Sequence, residues 1–306
     1  GIMINPTKVI VAAPTIQSVG RTISASGLGI SKKHATRALA MSFEKLKTLA
    51  DLMTLRGAIQ FLSGHIDGCS GTMKQLWDAM VVPEKKEDRK EGNGKYLSQK
   101  RRNKMRMLKH TPDARAIFKS LMWQLTHTEI LAFPDLSPKS HSKFLMIGDA
   151  SLDQLGITLM QQLPGLKPFD FETDFIKQTE MLKTKYHLVR LFSQTLKLEQ
   201  TRYSATAREA LAICVGIMHF SKWFGYKQFE VVGDCKPLLY IFNRTIEPKN
   251  AMINRIAVCL SRFNFNYYYR PGHCLPVTDY LSRLTTPCEN VWAEPGGLGS
   301  AEADVV

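Results

Sequence analysis

The 306-residue chain is 44% hydrophobic and 22% charged, which excludes a wholly disordered polypeptide and leaves enough apolar residues for about two packed units. Lysine and arginine exceed the acids by 14, so a polyanionic partner is expected. No run approaches the roughly 18 apolar residues of a bilayer span, and the six cysteines lack CxxC spacing, so neither a membrane partner nor a zinc site is expected and an intracellular location, cytoplasmic or nuclear, is.

In chain order, "INPTKVIVAAPTIQSVGRTISASGLGIS" alternates β-formers with Pro and Gly and predicts a strand or hairpin that reaches a turn at Gly27 and Gly29. From Lys33 to Met80 the apolar residues change to helical spacing, with Leu39, Phe43, Leu46, Leu49 and Met53 followed by Leu55, Ile59 and Leu62. Residues 84–110 carry a surplus of seven positive charges, half of the whole excess. The run reads as a solvated basic insertion, and Lys100, Arg101, Arg102, Lys104 and Arg106 within it are candidates for contact with a phosphate backbone. "TPDARAIFKSLMWQL" opens with a capping hydroxyl, Pro and Asp, the order of a helix N-terminus, and the proline-bearing stretch after it reads as a connection.

From residue 143 the pattern changes. "SKFLMIGDAS", "GITLMQQLP" and "HLVRLFSQTLK" predict three strands, with a long loop before the third. A helix follows, capped by Ser204 and ended by Gly225; then come a strand ending at Asp234, two helices, the strand "FNYYYRPG" and a last helix in "VTDYLSRL". This β-β-β-α-β-α-α-β-α order belongs to the mixed α/β class. Residues 287–306 have no pattern and read as a flexible tail.

Four carboxylates stand out by position: Asp149 at the end of the first strand, Glu209 in the first turns of a helix, Asp234 at the end of the fourth strand and Asp279 at the start of the last helix. Strand ends and helix starts of an α/β sheet share a crevice, so the four can meet there. Repelling acids in one crevice call for a cation, and hard oxygen ligands in this number suit two Mg²⁺ or Mn²⁺ ions. Taken singly, each acid has an ordinary reading as a turn, cap or solvated helix residue. The ensemble is what makes the case.

These residues also carry a resemblance. "GDAS…GITLMQQ…YSATAREALAI…FEVVGDCKPL…FNYYYRPGH…VTDYLSRL" is similar to the ribonuclease H domain of Gypsy-type LTR retrotransposon reverse transcriptases. The resemblance implies a ribonuclease H-like mixed five-stranded sheet over residues 143–286. It implies that Asp149, Glu209, Asp234 and Asp279 are catalytic and hold two divalent ions, and that the substrate is an RNA–DNA hybrid. Gly148 departs from the family's usual Thr and Tyr280 from its usual small residue; neither removes an acid. His273 in "RPGHC" is either an aid to proton transfer near the acids or a solvated loop histidine. Upstream, residues 1–32 resemble the end of the polymerase palm, 33–83 a thumb and 111–142 the connection, so a small, mostly helical region is expected before the sheet. The polymerase "YxDD" acids are absent, and polymerase activity is not expected from this chain alone. The competing expectation is a domesticated, noncatalytic module that binds RNA or serves a larger ribonucleoprotein assembly, or partners with other polyprotein-derived chains.

Overall fold

The computed structural model describes residues 13–25, 27–31, 40–66, 68–83, 98–126, 131–137, 140–166 and 185–272. The expected last helix, the tail and most of the long loop before the third sheet strand lie outside them. Among the described residues no helix is long and apolar enough to cross a membrane.

The chain opens with a small antiparallel sheet of β1 (Thr15–Ser18), β2 (Arg21–Ser24) and β3 (Gly27–Ile30). The expected turn at Gly27 and Gly29 is displaced. Both glycines lie within β3, opposite Ser24 and Thr22, and the tight turn is Val19–Gly20. Both turn residues have positive φ, 48° and 76°, the backbone that lets a two-residue loop follow the twist of its strands. The valine fits this geometry poorly, which is why composition pointed to the later glycines.

A helical unit follows: α1 (Leu49–Leu62), α2 (Cys69–Met80), α3 (Gln99–Met105) and α4 (Pro112–Thr126). Thr48 and Asp51 form a reciprocal capping box at the start of α1. Thr111 Oγ1 accepts from the Ala114 N–H at 3.1 Å as α4 begins, as its Thr-Pro-Asp opening predicts. The predicted apolar stripe is the core: Leu52, Leu55 and Ile59 of α1 pack with Leu76 of α2 and Phe118 and Leu121 of α4. Each such burial contributes about 1.5–3 kcal/mol. The second half of the basic segment belongs to this unit. The Leu49 N–H donates to Arg106 O, Leu108 N–H to Lys47 O and Lys109 N–H to Met80 O, each at 2.9 Å.

The sheet unit contains β4 (Phe144–Ala150), β5 (Gln154–Gln162), β6 (Tyr186–Thr195), α5 (Ala205–Phe224), β7 (Phe229–Gly233), α6 (Lys236–Phe242), α7 (Ala251–Leu260) and β8 (Phe265–Tyr269). Its five strands run in the order β6-β5-β4-β7-β8. The first three pair antiparallel, whereas β4–β7 and β7–β8 are parallel, as crossover helices require. β5 is buried along its whole length.

Helix α5 lies on one face of this sheet and sets the position of the site. Ser204 Oγ accepts the Ala207 N–H at 3.3 Å, and the stripe Ala207, Ala210, Ile213, Ile217, Phe220 and Phe224 recurs at three and four residues. Two glycines permit its close approach. A Cβ on Gly148 of β4 would meet Ile213 Cδ1 at 2.8 Å, and one on Gly216 would meet Met146 Sδ at 2.8 Å and Ile157 Cγ2 at 2.9 Å. On the opposite face Leu145, Ile147, Met160, Tyr186 and Val232 form a smaller core. Cys214 of α5 is half-buried and Cys259 of α7 is exposed; an apolar helical run does not by itself say which of its faces is covered.

Candidate metal centre

Asp149 is the sixth residue of β4, whose five preceding residues are all buried. The buried strand carries the carboxylate to the rim of the sheet and fixes it there. Asp234 follows directly on β7, parallel to β4, so both acids leave the same end of the sheet. Glu209 comes from the second turn of α5, and its Oε1 accepts the N–H of Ala150 at 3.1 Å. One carboxylate oxygen from each of Asp149, Glu209 and Asp234 lies within 4.8 Å of the others. Three acids distant in sequence therefore meet, as their positions at strand ends and a helix start predicted.

The electrostatics of this group are dominated by Glu209, which is 8% exposed. Burial, then the charges of Asp149 and Asp234, push its carboxyl up to about 9, against the pull of the Ala150 N–H and Arg208. Its Oε2 is buried with no hydrogen-bond partner among the protein groups. Sequence spacing assigned this glutamate to a helix start but could not show that burial, because the burial is made by the strand end that α5 covers. A cation fits the donor set: three hard oxygens, an excess of negative charge and one orphaned lone-pair site.

The backbone behind Asp234 is locked by groups that the sequence did not single out. Tyr267 of β8 donates its hydroxyl to Cys235 O at 3.3 Å, while its backbone exchanges hydrogen bonds with the Asn243 side chain at 3.1 and 3.2 Å. Burial raises the Tyr267 hydroxyl far above the usual phenol range, so it remains a donor. A Cβ on Gly233 would meet that hydroxyl at 2.6 Å, and one on Gly272 would meet Asp234 Oδ2 at 3.2 Å. Small residues on both sides of Asp234 were the available signal for this close packing.

Asp279 and His273 lie outside the described residues. Of the basic candidates, Lys100, Arg101 and Lys104 are exposed on and around α3. Arg102 and Arg106 are half-buried and engaged within the unit, donating to Gln99 Oε1 and to Val82 O respectively.

Sheet order, strand directions and the acid at the end of the first sheet strand define a ribonuclease H-like domain. Residues 139–263 match the family model of the RNase H-like domain found in reverse transcriptase. The Tf2-3 transposon polyprotein of Schizosaccharomyces pombe is 27% identical over 143 residues, which span 42% of this chain and 11% of that polyprotein. Among solved structures, the foamy viral protease-reverse transcriptase in complex with RNA/DNA hybrid superimposes with a TM-score of 0.59 at 13% identity, covering 94% of this chain and 32% of that one. The same protein in complex with dsDNA gives a TM-score of 0.57 at 13% identity over 84% of this chain and 45% of that one. The likeness of fold thus extends beyond the sheet into the helical unit.

Proposed function

We propose that the chain is a ribonuclease H that hydrolyses the RNA strand of RNA–DNA hybrids with two divalent ions, Mg²⁺ or Mn²⁺, held by Asp149, Glu209 and Asp234. The observation that carries this reading is the convergence of the three carboxylates within 4.8 Å around a glutamate oxygen that has no protein partner. Asp279 is the proposed fourth ligand, and His273 a candidate for proton transfer beside it. When bound, the ions would supply Lewis-acid stabilisation of charge on the phosphoryl group and on its attacking and leaving oxygens.

The chain's own residues do the positioning. β4 fixes Asp149, the Ala150 N–H orients Glu209 through Oε1 and leaves Oε2 for a cation, and Tyr267 holds the backbone after Asp234. The solved neighbour with a similar fold is a reverse transcriptase complexed with RNA/DNA hybrid, which supports the substrate class. In this reading the strands at 15–30 close a palm, α1 and α2 form a thumb, α4 and the segment after it form a connection, and Lys100, Arg101 and Lys104, with Arg102 and Arg106, track phosphates.

The test is cleavage of matched RNA–DNA, RNA–RNA and DNA–DNA duplexes with and without Mn²⁺. Cutting of RNA only when paired to DNA, only with metal, and not by Asp149→Asn supports the proposal. No cleavage together with no Mg²⁺ or Mn²⁺ binding would assign the noncatalytic role instead.

A further inference from the structure

Outside the carboxylate centre, sulfur gathers along the line where α5 and α7 pack side by side. Ala210, Ile213 and Ile217 of α5 and Ile253, Ile256 and Leu260 of α7 are buried in one core, each set recurring at three and four residues. That spacing turns other positions to the flank of each helix, Leu211, Cys214 and Met218 on α5 and Met252 and Cys259 on α7. The Cys214 thiol lies within hydrogen-bonding reach of the Cys259 thiol. One turn further along both chains, Arg262 Nη2 donates to Met218 Sδ at 3.0 Å. Two contacts one turn apart hold the flanks in register, so helix packing itself brings the thiols together.

The pair is asymmetric. Cys259 is exposed, whereas Cys214 is half-buried against the core beneath the sheet. Burial, then the neighbouring Cys259 thiol, push the Cys214 thiol up to about 11, against the pull of Arg262. Cys214 is therefore protonated near neutral pH and partly shielded, and an oxidant arriving from solution meets Cys259 first. Of the other free cysteines among the described residues, Cys69 is buried in the helical unit and Cys235 follows directly on β7, so neither belongs to these flanks.

We propose that Cys214 and Cys259 are a site of reversible oxidation, at which a peroxide forms a disulfide that staples α5, the helix bearing Glu209, to α7. The Cys259 sulfur attacks one oxygen of hydrogen peroxide; the O–O bond breaks, water leaves, and Cys259 carries a sulfenic acid. The Cys214 sulfur then attacks the Cys259 sulfur, the S–S bond forms, the S–O bond breaks, and hydroxide departs as water with the Cys214 proton. The two thiols give up two electrons, and one peroxide becomes two waters. A small dithiol restores both thiols by exchange and is itself left as a cyclic disulfide.

The bond closes a loop of about 45 residues, and a cross-link of that span narrows the unfolded ensemble enough to raise the melting temperature by several degrees where the native geometry is unstrained. Where glutathione keeps thiols reduced, such a bond forms only under oxidant, so the pair responds to peroxide and does not stand as a permanent bridge. The proposal does not depend on the nuclease reading.

The experiment treats the whole chain with hydrogen peroxide, blocks the remaining thiols with N-ethylmaleimide, and reads unreduced peptides by mass spectrometry. The expected product is a Cys214–Cys259 peptide pair lighter by two hydrogens than the reduced peptides, in a chain that stays single on a non-reducing gel and melts about 5 °C or more higher. Dithiothreitol should reverse both changes. Cys259→Ser, at an exposed position, should melt like the reduced wild type and show neither the pair nor the shift; the wild-type mass spectrum carries the test if that variant fails to fold. Three results overturn the proposal: Cys259 oxidised to an acid with Cys214 left free, a disulfide to any other cysteine or between two chains, or a Cys214–Cys259 bond that lowers the melting temperature, which is the signature of thiols outside bonding geometry. None of these readouts uses catalysis, so a protein that cuts nothing would end the nuclease reading and leave this test valid.

Discussion

The two ends of the five-stranded sheet each bury a glutamate, and they treat it in opposite ways. At one end Glu230 of β7 accepts the Tyr186 hydroxyl on Oε2 at 3.3 Å and has Lys143 Nζ 3.7 Å from Oε1. At the other, Glu209 has one backbone N–H, two neighbouring carboxylates and an oxygen with no partner. Burial raises both carboxyls, but at Glu230 the lysine and the hydroxyl pull back, whereas at Glu209 the nearest side chains push further. A buried acid that the fold has paired is structural. One that the fold has surrounded with more acid is, in the proposed reading, the ligand of a cation, and on that reading this contrast separates the working end of the sheet from the inert one.

The largest expected effect breaks the working end alone. Asp149→Asn keeps shape and removes a charge, so cleavage of an RNA–DNA hybrid should fall on the order of a thousandfold or more, the scale of several kcal/mol of lost charge stabilisation. The melting temperature without metal should hold or rise, because one of two charges repelling Glu209 has gone. An Asp149→Asn enzyme that still cuts at the wild-type rate would remove the centre from the chemistry.

Glu209→Gln sharpens the comparison through pH. The folded carboxyl titrates at about 9, well above its ordinary value near 4.5, so without metal the folded state holds a proton that the unfolded chain releases. Its contribution to stability is present below the unfolded value and is lost as pH rises from there towards about 9. The metal-free wild type should therefore melt at progressively lower temperature across that window, and Glu209→Gln should flatten the trend, at about 2–4 °C per kcal/mol for a domain of this size. Saturating Mg²⁺ should restore stability at high pH in the wild type and not in the variant. A pH-independent melting curve for the metal-free wild type would contradict the assignment of Glu209 as the strained ligand.

Much of this working end is legible in the chain itself. Asp149 and Asp234 stop apolar strands, and Ser204 caps the helix that carries Glu209, because strand length and cap chemistry are local properties. The inert end was not legible. Glu230 lies inside "FEVVG" as a polar residue in an apolar strand, and only the fold brings Tyr186 and Lys143 to it from 44 and 87 residues away. The same limit hid the close approach of Arg190, one cation in an alternating strand, to Gly64. Residues 98–110 carry exposed charge at Lys100, Arg101 and Lys104, and their backbone hydrogen bonds, which charge does not foretell, tie them to α1 and α2.

A smaller effect tests how closely α5 must approach the sheet. Gly216→Ala would place a methyl 2.8 Å from Met146 Sδ and 2.9 Å from Ile157 Cγ2, which should cost about 1–3 kcal/mol. The strain should also move Glu209 relative to Asp149, lowering metal affinity and cleavage together. Pairing the change with Ile157→Ala, which takes away the blocking Cγ2, should recover part of the loss of metal affinity. A Gly216→Ala protein with lower stability but unaltered metal affinity would show that the glycine serves packing only.

The smallest effect is expected at the inert end. Tyr186→Phe removes the hydroxyl that satisfies Glu230 Oε2 and leaves Lys143 as the remaining partner, 37% exposed and therefore screened. Losing one hydrogen bond to a buried acid should cost about 1 kcal/mol and should raise the Glu230 carboxyl further, since burial is then opposed by the lysine alone. Replacing Glu230 by Gln in the same protein should recover part of the loss, because an amide needs no counter-charge. Neither change should alter hybrid cleavage or metal binding, since strands β4 and β7 carry the acids at their other ends. Cleavage that falls with Tyr186→Phe at constant stability would mean that the two ends are coupled through the strands, and that Glu230 helps set the geometry at Asp149 and Asp234.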